Sequence, residues 1–217
     1  MKMALYNIIH DVPVEFRIYD GTIGINLSGG VDSALILYLL MRYSSSKIHA
    51  FTIASEKKFR VNSNVAVNVI NKCIDLTNNL NIEHHTIYHP VQNEKLLHTL
   101  PKLFLKNRSI DMVYTGVTAN PPIDICNTFN EERVVIRDYE FDKAVLFDNE
   151  SYYNPWANCH KKDIASMYNH FDLLNTLFPL TRSCEYLKAD SSTTVAHNYH
   201  CGKCWWCQER MWGFGRL

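Results

Sequence analysis

The run Ser28–Ser33, with the sequence SGGVDS, carries residue types that suit phosphate chemistry. It follows an apolar segment typical of a buried strand and precedes a segment with the apolar spacing of a helix. The first N–H groups of a helix have no partner within the helix, and the helix dipole favours anions there. Two adjacent glycines let the backbone approach a phosphate closely, while Ser28 and Ser33 add hydroxyl donors. The run therefore predicts an anion-binding loop at a strand–helix junction.

Asp32 needs its own explanation, because a carboxylate repels phosphate. It can cap the helix, orient the loop, or hold a Mg²⁺ ion that bridges to phosphate oxygens. The loop does not end in the Gly-Lys-Ser/Thr of a Walker motif, and it does not follow the Gly-x-Gly-x-x-Gly pattern of dinucleotide-binding loops. The alternative without a ligand is a tight strand-to-helix turn with a serine cap.

Four of the seven cysteines lie near the C-terminus, and three of these follow one another at steps of three. The four are Cys184, Cys201, Cys204 and Cys207. Zinc prefers four soft ligands in a tetrahedron, and a site made of four thiolates has no open position. The pattern predicts a structural zinc site that fixes the C-terminal segment to the rest of the protein. The alternatives are buried free thiols, an iron–sulfur cluster, a redox dithiol, or replacement of one sulfur by His197 or His200.

The first half of the chain alternates between β-rich apolar runs and segments with helical spacing. Predicted strands cover Thr22–Leu27, Ile48–Ala54, His84–Tyr88 and Met112–Thr115. Predicted helices cover Asp32–Tyr43, Asn62–Leu80 and Glu94–Leu105, the last with an interruption near Pro101. This alternation predicts an α/β fold with a doubly wound, mainly parallel sheet.

We interpret residues 1–217 as one domain in three parts. Residues 22–118 form a nucleotide-binding core, 119–155 an insertion or lid, and 156–217 a helical, cysteine-bearing C-terminal region. The insertion contains two strand-like runs, Arg133–Ile136 and Ala144–Phe147. Helices are predicted at Lys162–His170 and near Leu173–Leu177, and the segment from Cys184 onward is expected to be irregular.

Composition argues against several classes of protein. The chain has 22 Lys and Arg against 22 Asp and Glu, so a general nucleic-acid binder is not expected. The longest apolar run, Ala34–Met41, is far shorter than the roughly 20 residues of a membrane-spanning helix, and the N-terminal segment does not resemble a signal peptide. An odd number of cysteines without a secretion signal argues against a disulfide framework. We expect a cytoplasmic protein.

The run SGGVDS resembles the SGGxDS signature of the PP-loop ATP pyrophosphatases, which split ATP into AMP and pyrophosphate while activating a substrate as its adenylate. The resemblance implies an adenine-nucleotide α-hydrolase-like variant of the Rossmann fold, in agreement with the strand–helix order. It also implies that the loop and the ends of the second and fourth strands bind ATP, with Asp32 in a catalytic role. The implied ATP-binding residues are Leu27, Ser28, Gly29, Gly30, Val31, Asp32, Ser33, Thr52, Thr115 and Gly116.

The C-terminal motif is similar to that of one subfamily, the 7-cyano-7-deazaguanine synthases. The similar residues are Thr181-Arg-Ser-Cys184, then Cys201-Gly-Lys-Cys204-x-x-Cys207-x-x-Arg210, and upstream Lys161-Lys162-Asp163-Ile164, which resembles a K-x-E-I segment. The resemblance implies a ligase of the queuosine pathway that converts 7-carboxy-7-deazaguanine and ammonia to 7-cyano-7-deazaguanine through an adenylate and an amide. It also implies ATP, Mg²⁺ and structural Zn²⁺, a homodimer, and a catalytic Lys161 that offsets phosphate charge. The alternative for Lys161 is a solvated lysine at a helix start.

Three segments depart from that subfamily. A Tyr-Gly-Gln-x-His segment is replaced by Ser55–Arg60, which includes a basic cluster of Lys57, Lys58 and Arg60. An Asp-x-x-x-Tyr-Pro-Asp-Cys-Arg stretch is replaced by Ala119–Cys126, and the gap from Cys184 to Cys201 is about twice the usual length. A different carboxylate substrate, or a reaction that stops at the amide, is therefore an alternative. Two further hypotheses are a PP-loop tRNA sulfur transferase, with Cys126 as the reactive thiol, and a non-catalytic nucleotide-binding module.

Overall fold

A computed structural model describes residues 2–7, 13–55, 60–89, 98–129, 145–147, 151–184 and 200–217. The strands in these ranges are β1 (Lys2–Asn7), β2 (Pro13–Ile18), β3 (Ile23–Asn26), β4 (Ile48–Ser55), β5 (Ile82–His89), β6 (Met112–Tyr114), β7 (Val145–Phe147) and β8 (Tyr152–Asn154). The α-helices are α1 (Val31–Tyr43), α2 (Arg60–Thr77), α3 (Thr99–Lys106), α4 (Ile123–Cys126), α5 (Lys161–His170) and α6 (Trp205–Phe214).

Six strands form one sheet in the order β5-β4-β3-β6-β8-β7. All neighbours are parallel except β7, which pairs antiparallel with β8 at the edge. From β3 the chain passes outward through β4 to β5, and β6 then lies on the other side of β3. The strand order thus reverses between β3 and β6, and ligands of open α/β sheets bind outside the carboxyl ends of the strands at such a point.

Helices cover both faces of this sheet, because successive side chains of a strand point to opposite faces. On one face, Ile23 and Ile25 of β3 join a core with α1, α2 and α5. On the other face, Phe51 and Val113 pack against Phe104 of α3. The predicted doubly wound, mainly parallel α/β fold is therefore confirmed.

Three predictions about helices were wrong. The predicted interruption near Pro101 is not found: helix α3 continues through Pro101, because this residue lies in the first turn, where a missing N–H removes no hydrogen bond within the helix. Residues 94–97 of the predicted helix lie outside the described residues. Leu173–Leu177 forms turns that lead into a 3₁₀ helix at Phe178–Leu180. The segment beyond Cys184, expected to be irregular, contains the ten-residue helix α6.

The predicted boundaries of the parts stay a prediction, but the structure describes both ends of the 119–155 insertion. Strand β8 pairs in parallel with β6, so the end of this segment extends the main sheet. Strand β7 lies within the predicted run Ala144–Phe147, whereas Arg133–Ile136 lies outside the described residues. Lys57 and Lys58 also lie outside them, as does the Arg60 side chain.

An N-terminal hairpin of β1 and β2 was not predicted. Val14, Phe16 and Ile18 alternate along β2 and are buried in the main core. The Tyr114 hydroxyl donates to the Arg17 carbonyl at 2.6 Å and fastens the hairpin to the sheet. In the part of the chain that is described, no helix has the length and apolarity needed to cross a membrane.

Candidate functional site

The loop between β3 and α1 lies at the point where the strand order reverses. Gly29 has a φ of +80°, and a Cβ there would lie 2.6 Å from Cγ1 of Val65, so the backbone geometry and the close approach of α2 both require glycine. The Ser28 hydroxyl accepts from the Gly30 N–H at 3.2 Å and lies 3.2 Å from the Ser33 hydroxyl. The two hydroxyls predicted to bind phosphate are therefore brought together.

Leu27 and Val31 contribute to this loop through their backbone alone, because both side chains are buried in the core. The Leu27 N–H donates to the Phe51 carbonyl at 2.8 Å, and the Leu27 carbonyl accepts from the Thr52 hydroxyl at 2.8 Å. The Val31 carbonyl accepts from the Tyr168 hydroxyl at 2.9 Å. Both residues hold the loop in place.

The loop after β6 lies beside the glycine loop, at the carboxyl ends of β3 and β6, and forms the opposite wall of the candidate site. A Cβ on Gly116 would lie 3.0 Å from the Ser33 nitrogen, so this loop packs directly on the first turn of α1. Two side-chain oxygens at the strand ends, Asn26 Oδ1 and Thr115 Oγ1, are buried and have no hydrogen-bond partner among the described residues. Buried polar atoms are rarely left without a partner, so these two are available to a ligand.

Thr52 supports the loop from β4. Its hydroxyl hydrogen is used on the Leu27 carbonyl, so the hydrogen bond of 2.9 Å with Nε2 of His84 must be donated by His84. Burial lowers the pKa of His84, and the nearby His85 adds a smaller effect in the same direction. Thr52 is itself buried, and its side chain points back to the loop.

Lys161 and Asp32, the two residues predicted to be catalytic, form an ion pair with 2.5 Å between Nζ and Oδ2. The same ammonium donates to the Thr118 hydroxyl at 3.0 Å and lies 3.7 Å from a carboxylate oxygen of Glu209. Lys161 is 2% exposed and Glu209 fully buried, whereas the Asp32 side chain is 18% exposed. Lys161 is therefore a buried cation between two carboxylates, and it is not a solvated surface lysine.

Helix α5 and Trp156 place this pair. The Asp163 carboxylate accepts from the His160 N–H at 2.7 Å, which caps the helix at the point where Lys161 begins it. The Trp156 indole donates to the Asp32 carbonyl at 3.2 Å. Sequence reasoning missed the supporting roles of Asp163 and Trp156. The signal available for Asp163 was its position, because an acidic residue three positions after the N-cap residue, here His160, is typical of a helix start.

The sulfurs of Cys184, Cys201, Cys204 and Cys207 all lie within 4.8 Å of one another. Between Cys201 and Cys207 the distance is 3.8 Å, about the edge of a tetrahedron with Zn–S bonds of roughly 2.3 Å. The N–H groups of Lys203 and Cys204 lie 3.4 Å and 3.3 Å from the Cys201 sulfur, so they donate to a thiolate there. The donor set fits zinc.

A thiolate cluster of this kind needs a cation. Contact with Cys184, together with burial, raises the pKa of Cys207 to about 12. A bound metal ion removes the proton from such a thiol. His200 Nδ1 lies 3.9 Å from the Cys207 sulfur, and His197 lies outside the described residues.

The segment Thr181–Cys184 connects this cluster to the glycine loop. The Arg182 N–H donates to the Gly29 carbonyl at 2.9 Å. Arg210 of α6 donates to the Thr181 hydroxyl at 2.9 Å and lies over the Phe178 ring at 3.9 Å. Burial lowers the pKa of Arg210 to about 10.

Helix α6 connects the cluster to Lys161. It carries the cluster residue Cys207, the carboxylate Glu209 and Gly213. A Cβ on Gly213 would lie 2.4 Å from the Lys161 Cβ, so glycine is what allows α6 to approach α5. The position of Lys161 therefore depends on α6. Cys126, by contrast, lies on α4, where its thiol donates to the Pro121 carbonyl at 3.1 Å.

Comparison with known families matches residues 17–123 to the model described as asparagine synthase. This match covers just under half of the chain and includes the glycine loop, so this part of the chain is similar to that family. No curated protein matches the sequence.

Similar solved structures include two synthetases. One is an NH3-dependent NAD synthetase from Campylobacter jejuni, with 15% sequence identity, a TM-score of 0.42, and coverage of 72% of this chain and 66% of that one. The other is an NMN synthetase from Francisella tularensis, with 17% identity, a TM-score of 0.44, and coverage of 72% and 64%. This chain spans just under two thirds of the length of each of them.

Proposed function

We propose that this protein is an ATP-dependent ligase that activates a carboxylate as its adenylate and transfers the acyl group to ammonia. The observation that carries the proposal is the buried Lys161–Asp32 pair beside a glycine loop at the point where the strand order reverses. The match of residues 17–123 to an ATP-using family supports the same chemistry.

In this proposal the glycine loop binds the phosphates of ATP. The hydroxyls of Ser28 and Ser33 donate to phosphate oxygens, together with backbone N–H groups at the start of α1. Leu27, Gly29, Gly30 and Val31 act through their backbone. Thr115 and Gly116 line the opposite wall, and Thr52 holds the loop from β4.

Asp32 is the residue that would hold Mg²⁺. Its carboxylate is a hard oxygen donor at the entrance to the loop and keeps part of its surface accessible. Magnesium is usually held by one or two carboxylates together with phosphate oxygens, so this donor fits. When bound, Mg²⁺ neutralises charge on the phosphates.

Lys161 supplies the fixed positive charge. Its ammonium is balanced in the structure by Asp32 and Glu209. With ATP bound, the same ammonium stabilises the negative charge that develops as pyrophosphate leaves. A carboxylate oxygen of the substrate attacks the α-phosphorus, and pyrophosphate departs. The ammonia nitrogen then attacks the acyl carbon, AMP departs with the former carboxylate oxygen, and a proton is released to give the amide.

For the acid substrate we propose 7-carboxy-7-deazaguanine, with the nitrile as the final product after a second adenylation. The support is the C-terminal motif from Thr181 to Arg210, in which the cysteine cluster and Arg210 hold the segment that contacts Gly29. An amide product or a different carboxylate is the alternative, because the segments 55–60 and 119–126 depart from the resembling subfamily.

The test is mass spectrometry of a reaction containing metal-replete protein, ATP, Mg²⁺, ammonium and 7-carboxy-7-deazaguanine. Nitrile and AMP together would establish the full reaction, and amide with AMP would establish a ligase that stops early. If this acid gives no product, a panel of other carboxylates decides the broader proposal. No AMP with any acid, despite ATP binding, would contradict ligase activity and favour a nucleotide-binding module.

Two neighbouring lysines provide a matched pair of variants. Lys161→Met should lower the rate of AMP formation by about 10²-fold or more, because a group that stabilises developing charge is removed. Lys162→Met should retain the rate, since Lys162 is exposed and its ammonium lies 5.0 Å from the Trp212 ring. Equal rates in the two variants would contradict the role of Lys161.

A further inference from the structure

A second group of metal-ligating side chains lies away from the glycine loop, near the amino ends of β4 and β5. It consists of His49 on β4 and of Glu83 and His85 on β5. Glu83 lies directly opposite His49 in the parallel register, and His85 lies opposite Phe51. All three side chains therefore point to the sheet face covered by α3.

The two imidazoles face each other edge to edge. His49 Nδ1 and His85 Nε2 are 2.8 Å apart, and the rings lie 17° from parallel with centroids separated by 5.1 Å. Glu83 flanks both nitrogens, with one carboxylate oxygen 3.8 Å from His49 Nδ1 and the other 3.7 Å from His85 Nε2. Two nitrogens and one carboxylate thus converge on one point.

We propose that His49, Glu83 and His85 bind a divalent transition-metal ion of the zinc type, at a site separate from the cysteine cluster. Imidazole and carboxylate are donors that zinc and its neighbours in the series accept. With bonds of roughly 2.0–2.1 Å, a tetrahedral site has ligand separations of about 3.4 Å. The three separations observed here fall on both sides of this value, so shifts of about half an ångström bring the ligands into place.

For a metal ion to bind, the hydrogen that lies between His49 Nδ1 and His85 Nε2 must leave both of these nitrogens. Each neutral imidazole then keeps its hydrogen on its other nitrogen, and both facing nitrogens present lone pairs to the ion. Three protein ligands leave a fourth position for water. No change of oxidation state is involved.

Neighbouring side chains hold the two rings in orientation. Phe104 contacts both imidazoles edge-on, at centroid distances of 5.3 Å from His49 and 5.0 Å from His85. Burial, together with Lys47, lowers the pKa of His49. Glu83 is half exposed and gives an ion access from solvent.

Lys47 competes with the metal ion for Glu83. Its ammonium lies 2.9 Å from the carboxylate oxygen of Glu83 that is nearest to His49. Binding of a cation must displace this contact. Removal of Lys47 should therefore strengthen binding, an effect that a purely structural histidine pair would not produce.

The experiment is a titration of full-length protein with Zn²⁺ after the cysteine cluster has been filled with one equivalent, with bound zinc counted after gel filtration. We expect wild type and His170→Ala, which removes an exposed histidine of α5, to bind a second equivalent. His85→Ala and His85→Gln should keep only the first, and the retained first equivalent shows that each variant is folded. Lys47→Met should bind the second equivalent at least several-fold more tightly.

Three results would overturn the proposal. One zinc per chain in wild type would mean that the histidines form only a hydrogen bond. A second zinc in both His85 variants would place the ion elsewhere. Unchanged or weaker affinity in Lys47→Met would exclude Glu83 as a ligand in competition with Lys47.

Discussion

Helices α1 and α6 both present residues to the candidate site, yet they are held in place differently. Ten of the 13 residues of α1 are buried, and most of these are apolar. Helix α6 buries only Trp205, Cys207, Glu209 and Arg210. Apolar burial stabilises by about 25 cal/mol per Å², whereas buried charges stabilise only when they are paired. The position of α1 therefore comes from packing, whereas that of α6 depends on the cysteine cluster and on buried charged side chains such as Glu209.

This difference means that the two helices should fail under different conditions. Metal removal should release α6 and leave α1 in place. A cavity in the core should instead destabilise α1 and leave the cysteine cluster intact. The site needs both, because Asp32 lies on α1 and Lys161 is packed against α6.

Metal removal is expected to have the largest effect. Structural zinc contributes roughly 10–16 kcal/mol of apparent binding free energy in small zinc domains, so chelation or Cys204→Ser should unfold α6. Hydrogen exchange measured by mass spectrometry should show loss of protection over 205–214 and retained protection over 31–43. Cys126→Ser, a cysteine outside the cluster, is the control. Equal protection of α6 before and after chelation would contradict the comparison.

Leu37→Ala should show the opposite pattern. Leu37 is fully buried in α1, and removing its side chain leaves a cavity that costs about 2–5 kcal/mol in the free energy of unfolding. Zinc content should remain at the wild-type value as long as the protein is folded. Val67→Ala on α2, where the valine is exposed, should change stability by no more than about 0.5 kcal/mol. Zinc loss from folded Leu37→Ala would show that the two helices are not independent.

Gly213→Ala tests the contact between α6 and α5. The added methyl group meets Lys161 at 2.4 Å, so the helices must separate, at a cost of about 1–3 kcal/mol. AMP formation should fall more than this stability loss explains, because Lys161 is displaced. Met211→Ala, at an exposed position of the same helix, is the control. A variant with wild-type activity would show that α6 does not position Lys161.

His84→Gln should have the smallest effect, and the effect should depend on pH. Burial lowers the pKa of His84 in the folded state, so below about pH 6.5 the unfolded state binds more protons and the free energy of unfolding falls. Glutamine can donate to Thr52 without titrating. Urea unfolding at about pH 7.5 and pH 5.5 should show a smaller loss in the variant than in wild type. An identical loss would assign the dependence to other groups.

The sequence predicted the unit of β3, the glycine loop and α1 well, because the signals for this unit are contiguous in the chain. The strand, the glycine run and the apolar helix follow one another, and each obeys a simple period. Asp32 and the four cysteines were likewise proposed as site residues from local spacing, and their roles stay a prediction. Lys161 came from a resemblance, since nothing in its neighbourhood predicts an ion pair with a residue 129 positions away.

The C-terminal half was predicted poorly because its interactions are long-range. Helix α6 buries a cysteine and two charged residues, which hides the apolar period that marks a helix. Glu209 looks like a surface residue until α5 is packed against it. At Leu173–Leu177 the apolar spacing is present, but Asp172 has a φ of 56° and Pro179 follows, so no α-helix forms.

Cys184 and Cys201 belong to the same cluster, so the chain returns at Cys201 to the point that it left at Cys184. The entropy lost on closing a loop grows only with the logarithm of its length, so a doubling costs about 0.6 kcal/mol. Added residues there need not move Arg182 on one side or α6 on the other. A gap about twice the length usual in the resembling subfamily is therefore compatible with an unchanged site. The cluster makes this stretch a place where the chain can gain new sequence during evolution, and where an inserted tag should be tolerated.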